Sequence, residues 1–389
     1  MRLRPALCVT LLACASLLAP VLPAQAATSD AAVQVGSSFV LAGHGNGHGH
    51  GLSQYGARGA AIKGLPASQI LAFYYPGTKL AKDTRSVKVL ITADDDGSAS
   101  VMPAQGLYVV DLTSSKKYTL PAGTQKAWRL RVVSGKTRVE YLNNGWHAYK
   151  PGGLTTLVGS GQFRTPSGVL TLRAPDGHVR YRGGIRLVGT AVINVLSLDN
   201  YVKGVVPREM PALWEAAALQ SQAVAARTYA AYEIGSHDHY DLCDTSACQV
   251  YGGLDDEATG STRAVVATAQ KVLTYGGKPA FAQFSASNGG YTSQGGAGKP
   301  YLPGKKDPYD LTASNPYKNW HQTITAKTVQ GAFPAIGTLR TVQVLDHDST
   351  GRRVASIRLT GSRTSTTITG DRMRTIFGLR STYFHVTKP

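Results

Sequence analysis

Short hydrophobic runs with an alternating pattern dominate the chain between residues 86 and 190. Runs such as 87–91, 128–133 and 185–188 alternate β-branched or large apolar residues with polar ones. Gly, Asp, Asn and Pro separate these runs about every ten residues, a spacing that is typical of strands joined by tight turns. The pattern predicts a meander of antiparallel strands.

A second pattern, rich in alanine, occupies the stretch 201–232, which reads YVKGVVPREMPALWEAAALQSQAVAARTYAAY. Alanine, leucine and glutamine are strong helix formers, and neither Pro nor Gly occurs in this stretch after Pro211. The β-branched Val205 and Val206 predict an extended approach to the helix, and Pro is favoured in a first helical turn. We therefore expect Glu209 at a strand-to-helix corner, where its carboxylate can face a cleft.

The remaining patterns complete an α+β fold, with a β-rich body of antiparallel strands, one long Ala-rich helix and a few short helices. A hairpin is expected within 272–284, strands at 339–345, 354–359 and 365–369, and short helices at 57–64, 66–75, 264–269 and 371–377. The predicted organisation is a leader at 1–26, a Gly/His-rich segment at 27–82, a β-rich module at 83–180, a core at 181–300 and a C-terminal β/α segment at 301–389 that packs on the core.

The first 26 residues have the features of a secretory signal peptide. Arg2 and Arg4 give the charged start, 6–18 is apolar, and small residues precede a cleavage site near Ala26. Leu-Leu-Ala-Cys around Cys14 has the form of a lipoprotein site, but the hydrophobic run continues past it. We expect a secreted protein that associates with the cell wall.

The chain carries a net charge of +18, or +16 without the leader. A basic surface outside the cell suits polyanions such as wall polymers, and export makes nucleic acid an unsuitable partner. The basic residues are scattered along the chain without a single run, so solubility with general wall affinity is an equally weighted alternative.

Two cysteines, Cys243 and Cys248, remain after removal of the leader. A close pair in an exported chain is most simply a disulfide that closes a small loop. The surrounding segment 237–248 also contains His237 and His239, a composition that zinc sites share. The two interpretations exclude each other.

Glu209 has two interpretations on the residues alone. A carboxylate at a helix start interacts favourably with the helix dipole, which also stabilises the ionised form. A general acid needs the opposite, so burial against residues such as Met210 and Trp214 would have to raise its pKa. Arg227 lies five turns along the same helix, which suits substrate binding or a structural anchor better than contact with Glu209.

Two further segments could line a cleft. The segment GHGNGHGHGLSQYG, residues 43–56, alternates glycines with His44, His48 and His50. It could bind a metal, or it could be a Gly-rich loop that brings the backbone close to a ligand; the alternating glycines leave it without a fixed geometry. The segment 284–292, FSASNGGYT, is either a cleft lining or a plain loop.

Together these segments resemble the family of sporulation stage II protein D and the amidase enhancer LytB. The resemblance rests on four blocks, which read YRGGIRL…INVLSLDNYVKGVVPREMP with LQSQAVAARTYA, YDLCDTSACQVYGG, FSASNGGYT, and GHGHGLSQYGARGAAIKG…ILAFYYPGT. The final ITGDRMRTIFGLRSTYF is similar to the last element of the family.

The resemblance implies a lytic transglycosylase that cleaves peptidoglycan between N-acetylmuramic acid and N-acetylglucosamine and leaves a 1,6-anhydro sugar. The essential acid of the family is the Glu of its Pro-x-Glu-Met-Pro corner, here Glu209. One carboxylate suffices for this scheme, and Asp199 is the nearest acid upstream. Family positions along the glycan cleft correspond here to Arg227, Gln222, His48, Gln54, Ser287, Gly289 and Gly290.

Three departures from the family pattern bear on this assignment. The Gly-His block precedes the catalytic corner here, whereas it follows the corner in the sporulation enzymes. Asn46 and His50 replace an aromatic and an apolar residue in that block. Ala247 stands where zinc-binding members have a His, which leaves three of four ligands, His237, Cys243 and Cys248; this favours the disulfide and no cofactor.

The expected partners are peptidoglycan glycan strands and an N-acetylmuramoyl-L-alanine amidase, with the chain itself a monomer. The alternatives are a non-catalytic amidase enhancer and a glycan-binding module of the cell wall.

Overall fold

A computed structural model of the chain describes residues 29–312 and 314–387. The predicted leader, with its cleavage site near Ala26, lies outside these residues. The described residues form many antiparallel strands and several helices, which confirms the α+β class. None of the helices within them is both long enough and apolar enough to cross a bilayer.

Two large sheets form the β-rich part of the molecule. In spatial order the first contains β17 (Leu242–Cys243), β5 (Ser86–Leu90), β16 (Ala191–Ser197), β15 (Gly184–Val188), β12 (Gly161–Arg164), β7 (Tyr108–Asp111) and β8 (Lys117–Thr119). The second contains β11 (Trp146–Tyr149), β10 (Lys136–Leu142), β9 (Ala127–Val133), β6 (Ser98–Val101), β13 (Val169–Ala174) and β14 (Gly177–Arg182).

The alternation in the sequence explains how these sheets pack. In β10, Thr137 and Val139 are buried, whereas Lys136 and Arg138 are exposed. Side chains in a strand point alternately to opposite faces, so one face of each sheet is apolar. Residues of both apolar faces, such as Leu130 and Phe163, belong to one buried core. The predicted antiparallel strands are therefore present, but they do not form a simple meander, because β5 pairs with β16 and β6 pairs with both β9 and β13. The pairing of β17 with β5 is parallel.

A layer of helices and small sheets covers this core. The helices are α1 (Gln54–Ile62), α2 (Ala67–Tyr74), α3 (Leu198–Glu209), α4 (Ala216–Glu233) and α5 (Thr259–Ala267). The small sheets contain β19 (Lys278–Pro279), β18 (Lys271–Tyr275) and β4 (Lys79–Lys82), and β20 (Phe284–Ser285) with β3 (Leu52–Ser53).

The predicted Ala-rich helix is α4, and its composition reflects its surroundings. It packs against α1, α2, α3 and α5, and residues around its whole circumference are buried. Alanine has high helix propensity and lets neighbouring helices approach closely on every side.

The extended approach predicted before Glu209 is wrong, because Val205 and Val206 lie in helix α3. Ser197 caps this helix by accepting a hydrogen bond from the Asn200 N–H. Both valines are completely buried, and this burial outweighs the weak strand preference of β-branched residues. Pro207 lies in the last helical turn, and Glu209 is the final residue of the helix.

A second core lies in the C-terminal part of the chain. Its sheets are β1 (Val33–Gln34), β22 (Leu339–His347), β23 (Val354–Gly361) and β24 (Ser365–Thr369), and β21 (Trp320–Thr325), β2 (Ser38–Gly43) and β25 (Phe384–Thr387). The helices α6 (Ala326–Ala332) and α7 (Gly370–Phe377) cover them.

The N-terminal strand β2 is central to this second core. It pairs with β21 on one side and β25 on the other, and its Phe39 and Leu41 are buried there with Trp320 and Phe384. Residues 29–82 are therefore shared between the two cores, because β1 and β2 pair with strands of the C-terminal part.

Asp94, between β5 and β6, provides a test of the packing of the β-rich part. Its side chain is 3% exposed, and neither carboxylate oxygen has a hydrogen-bond partner among the described residues. Burial, with the charges of Asp96 and Asp95, raises the pKa of Asp94 to about 7. The ionised form of Asp94 destabilises the folded state. The free energy of unfolding therefore falls as the pH rises from the unfolded-state pKa of this carboxyl through about 7.

We therefore expect Asp94→Asn to raise the melting temperature by roughly 2–4 °C at about pH 8, and by less at about pH 5. Asp111→Asn is the matched control. The Asp111 carboxylate accepts hydrogen bonds from the N–H groups of Val158, Thr113 and Ser114, which lower its pKa, so this variant should be less stable at both pH values. A lower melting temperature for Asp94→Asn at the higher pH would contradict the assignment.

Candidate active site

Glu209 ends helix α3, and this position determines its electrostatics. The C-terminal end of a helix carries partial negative charge, which disfavours a carboxylate. Burial raises the pKa of Glu209 above its ordinary value, while a hydrogen bond from Gln54 acts in the opposite direction. The expected helix-start position is thus wrong, and the dipole that would have stabilised the ionised form there opposes it here.

Gln54 places the Gly-His block directly beside Glu209. The Nε2 of Gln54 donates to Glu209 Oε2 over 3.0 Å, although the two residues are 155 positions apart. Gln54 is the first residue of α1, and Ser53 caps that helix by accepting from the Gly56 N–H. The Gly-His block therefore lies against the corner that contains Glu209, although it precedes that corner in sequence.

The carboxylate of Asp310 fixes this arrangement. It accepts hydrogen bonds from Ser53 Oγ and, over 2.8 Å, from Ser287 Oγ. It also accepts from the backbone N–H groups of Gly289 and Gly290 over 2.9 and 3.1 Å. One buried side chain thus links the start of α1 to the small-residue loop at 284–292.

The Gly-His segment has a fixed geometry, contrary to the expectation from its glycines. Gly45, Gly47, Gly49 and Gly51 all have positive φ, between 64° and 107°. A Cβ added to Gly51 would lie 2.1 Å from the Gln283 carbonyl oxygen, so only glycine fits this close approach. The segment therefore lies tightly along residues 283–293.

A cavity of about 420 Å³ opens beside Glu209. Its lining comes from α3, α4, the cysteine loop, the Gly-His segment and the strand that begins the small-residue loop. The lining residues are His48, Arg208, Glu209, Tyr229, Ser246, Ala247, Cys248, Gln249, Val250, Gln283 and Phe284. Glu209 is the one carboxylate among these described residues.

His48 lines this cavity as a neutral imidazole. Burial, followed by the positive charges of His50 and Arg353, lowers the pKa of His48 to about 3. Its Nδ1 accepts from the His50 N–H over 2.9 Å, which fixes the proton of the neutral ring on Nε2. In the part of the chain that the structure describes, no group of three or more His, Cys, Asp or Glu is arranged to hold a metal.

Arg227 and Gln222 lie in the protein interior, with no exposed surface. Arg227 Nε donates to Asp199 Oδ1 over 2.7 Å, and its other nitrogens donate to backbone carbonyls of Lys271 and Val265. These contacts fit the structural anchor and not the glycan contact that the resemblance implies. They also remove Asp199 as a second acid.

The other predicted cleft residues divide in the same way. Ser287, Gly289 and Gly290 direct their polar groups to Asp310 inside the protein. His48 and Gln54 are the two that accompany Glu209 at the site. The sequence blocks contain both residues that support the fold and residues that face the cavity. The resemblance alone therefore does not separate the two kinds.

Tyr229 and Gln249 line the cavity but are absent from the sequence-based predictions. Tyr229 lies two positions after Arg227 in α4, and burial raises the pKa of its phenol. Gln249 follows Cys248 and accepts a hydrogen bond from the buried Tyr201 hydroxyl over 3.2 Å. Both belong to the family blocks, yet only the fold shows which side chains turn inward.

An aromatic group adjoins the Gln54–Glu209 contact. Tyr55 packs edge-to-face against Trp214 at 4.9 Å and against Tyr317 at 5.6 Å, between ring centroids. The Arg58 guanidinium lies 4.9 Å from the Trp214 ring centroid and pairs with Glu215. These rings are partly exposed, and Tyr55 directly follows Gln54 in the chain. Partly exposed aromatic rings are suited to contact with the apolar faces of sugars.

The structure places a disulfide between Cys243 and Cys248. Cys248 lines the cavity, so this disulfide closes a loop that forms one wall of the site. Zinc would need both thiolates, which the disulfide occupies. His237, the third residue of that alternative, stacks on Tyr240 at 4.5 Å between ring centroids.

Comparisons with known proteins agree with the sequence blocks. Residues 188–275 match the SpoIID family model, described as Stage II sporulation protein. This match contains α3, α4, the disulfide loop and α5, and it ends before the small-residue loop.

Three curated proteins show the extent of the similarity. An amidase enhancer of Bacillus subtilis (strain 168) is 31% identical over 273 residues, which are 69% of this chain and 36% of that protein. Stage II sporulation protein D of the same organism is 30% identical over 220 residues, 51% of this chain and 62% of that protein. An uncharacterized protein of Brachyspira hyodysenteriae is 40% identical over 120 residues, 29% of this chain and 33% of that protein. The chain thus spans less than two thirds of each relative.

The disulfide yields a prediction for the stability of the cavity wall. Closing so short a loop is worth about 2 kcal/mol of unfolding free energy, so Cys243→Ser with Cys248→Ser should lower stability by about that amount. Urea unfolding with and without a thiol reductant measures the effect, and the double variant supplies the control because it should not respond to reductant. Mass spectrometry of the untreated protein should show a mass two hydrogens below the reduced form. Unfolding of the wild type that ignores the reductant would contradict the prediction.

Proposed function

Because the chain belongs to the SpoIID/LytB family, we propose that it is an exported lytic transglycosylase that cleaves the glycan strands of peptidoglycan. The observation that carries the proposal is a single partly buried carboxylate, Glu209, in a cavity whose described lining contains no second acid. Glycosidases that use water as the final acceptor generally need two carboxylates. One carboxylate is enough when the sugar supplies its own nucleophile.

In the proposed reaction Glu209 acts first as acid and then as base. Its protonated form gives a proton to the oxygen that links N-acetylmuramic acid to N-acetylglucosamine, and the bond from C1 to that oxygen breaks. The resulting carboxylate then takes the proton of the C6 hydroxyl as that oxygen bonds to C1. The products are a free N-acetylglucosamine end and a 1,6-anhydro-N-acetylmuramic acid end, no water is consumed, and Glu209 regains its proton.

The surroundings of Glu209 support the acid role. Burial and the helix C-terminus both disfavour the ionised form, so a larger fraction stays protonated near neutral pH than for an exposed glutamate. Gln54 Nε2 donates to one carboxylate oxygen and leaves the other for the substrate. Neutral His48 brings no positive charge that would lower the pKa of the acid.

A non-catalytic amidase enhancer is the second candidate, favoured by the name of the Bacillus subtilis relative. In that case the same cavity would bind glycan strands and present them to an amidase. The two candidates differ in whether Glu209 is needed for a change in the glycan itself.

We expect Glu209→Gln to lower the release of 1,6-anhydro products by about 10²–10⁴-fold, the usual contribution of a general acid. The assay is digestion of purified glycan strands followed by mass spectrometry of the products. Glu233→Gln is the matched control, because Glu233 is the last residue of helix α4, accepts a hydrogen bond from the Ser236 hydroxyl and is not among the residues that line the cavity. It should behave as the wild type.

The outcomes separate the candidates. Equal product release by Glu209→Gln and the wild type would refute the acid role. If neither protein releases anhydro products but both accelerate an added amidase on intact peptidoglycan, the enhancer function is the correct one.

The Gln54–Glu209 hydrogen bond predicts a change in pH dependence. This bond lowers the pKa of Glu209, so Gln54→Ala should raise that pKa. Activity requires the protonated acid and is lost as the pH rises through its pKa, so the alkaline limb of the rate profile should move to higher pH. Gln330→Ala, on the exposed surface of α6, should leave the limb in place. A limb that stays or moves to lower pH would argue against this contact.

A further inference from the structure

The positive charge of the chain is concentrated in one segment of the β-rich part. Residues 97–187 contain 13 Lys and Arg and three Asp and Glu, a net charge of +10 out of +18 for all 389 residues. Two of the three acids, Asp111 and Glu140, are buried. Asp176 is thus the one acidic side chain that this segment exposes.

One face of the six-stranded sheet collects part of this charge. Arg131 in β9 lies directly opposite Arg138 in β10, and both side chains are exposed. Trp128, Val101 and Leu172 share the opposite, apolar face in register. Arg173, next to Leu172 in β13, therefore points to the same outer face as Arg131.

The strand register sets the spacing on this face. Opposite side chains in an antiparallel pair are about 5 Å apart at Cβ, which applies to Arg131 and Arg138. Arg173 is level with Ser100 and, through it, with Arg129, so it lies two strand spacings across the sheet and two residues along the strand from Arg131, about 12 Å away. Residues 131, 138 and 173 thus form a basic face whose neighbouring cations are about 5–12 Å apart.

These three arginines lack the partners that their neighbours have. Arg129 pairs with Glu140, Arg180 with Asp255 and Arg182 with Glu257, at N–O distances of 2.5–2.6 Å. In the described structure the other three form no ion pair, and like charges directly opposite each other in a sheet are unfavourable. An arrangement that costs stability in the isolated protein becomes favourable when an anion bridges it.

We propose that this basic face binds a polyol-phosphate polymer of the cell surface. Guanidinium groups bind phosphate through two parallel N–H donors, and a row of them matches repeated phosphates better than a single anion. The side chains of Arg131, Arg138 and Arg173 are all exposed, so an extended anionic chain can reach each of them. This binding is independent of Glu209 and goes beyond the proposed cleavage of glycan strands.

The test compares two triple variants with the same change in charge. Arg131→Gln with Arg138→Gln and Arg173→Gln removes the basic face. Lys327→Gln with Arg340→Gln and Arg358→Gln removes three exposed cations from the C-terminal core, where no ion pair involves them in the described residues. Binding of soluble poly(glycerol phosphate) is measured by calorimetry at several salt concentrations.

The first variant should lose roughly tenfold or more in affinity, a factor that corresponds to about 1.4 kcal/mol, and should show a weaker salt dependence. The control variant should lose clearly less. Equal losses would show that net charge alone is responsible and would overturn the proposal. Equal binding of a polycarboxylate of matched charge density would overturn the phosphate assignment, and tighter binding of duplex DNA would identify nucleic acid as the partner.

A triple lysine variant keeps the proposal testable if the glutamine variant folds poorly. Arg131→Lys with Arg138→Lys and Arg173→Lys retains the charge but loses the two parallel donors, so an intermediate affinity is expected. Unchanged affinity would argue against guanidinium–phosphate recognition. Melting curves of each variant check the fold, and poly(glycerol phosphate) should raise the melting temperature of the wild type more than that of the glutamine variant.

Discussion

The buried carboxylate of Asp310 is the interaction on which the geometry of the site depends. It joins the cap of α1, the small-residue loop and, through Asn315, the segment leading to the second core. Burying a charge is costly unless hydrogen bonds satisfy it, and here backbone and side-chain donors surround it. Because α1 is held in this way, Gln54 lies beside Glu209 even though the two residues are 155 positions apart in the chain.

The local sequence pattern was sufficient to predict the strands that bury one face and the helix that is exceptionally rich in alanine. The alternating strands, α4 and the tail strands are in this group. It failed at Val205 and Val206, because two adjacent valines give the same signal in a buried helix as in a strand. Because of that error, the helix dipole at Glu209 was expected to stabilise the ionised carboxylate, whereas it opposes ionisation at the end of α3. The position of the helix end could not be derived from residue spacing alone.

The candidate site shows a similar division. Sequence reasoning selected Glu209 and Gln54, and the structure brings them into contact. It could not distinguish His48, which lines the cavity, from Arg227, which lies in the interior with Asp199 as its partner. Burial is a property of the whole fold, and residues two or three positions apart in one helix, such as Arg227 and Tyr229, face different surroundings.

The central position of β2 has a consequence for the order of folding. Phe39 and Leu41 leave a ribosome or a membrane pore early, but the strands that cover them, β21 and β25, begin at Trp320 and Phe384. A chain that emerges from its N-terminus must therefore keep an apolar strand unpaired until residues 320–325 and then 384–387 are available. Such long-range pairing is slow and leaves the strand open to association with other chains. Completion of the second core thus requires the strand β25, and a product truncated before Phe384 would leave one edge of β2 unpaired.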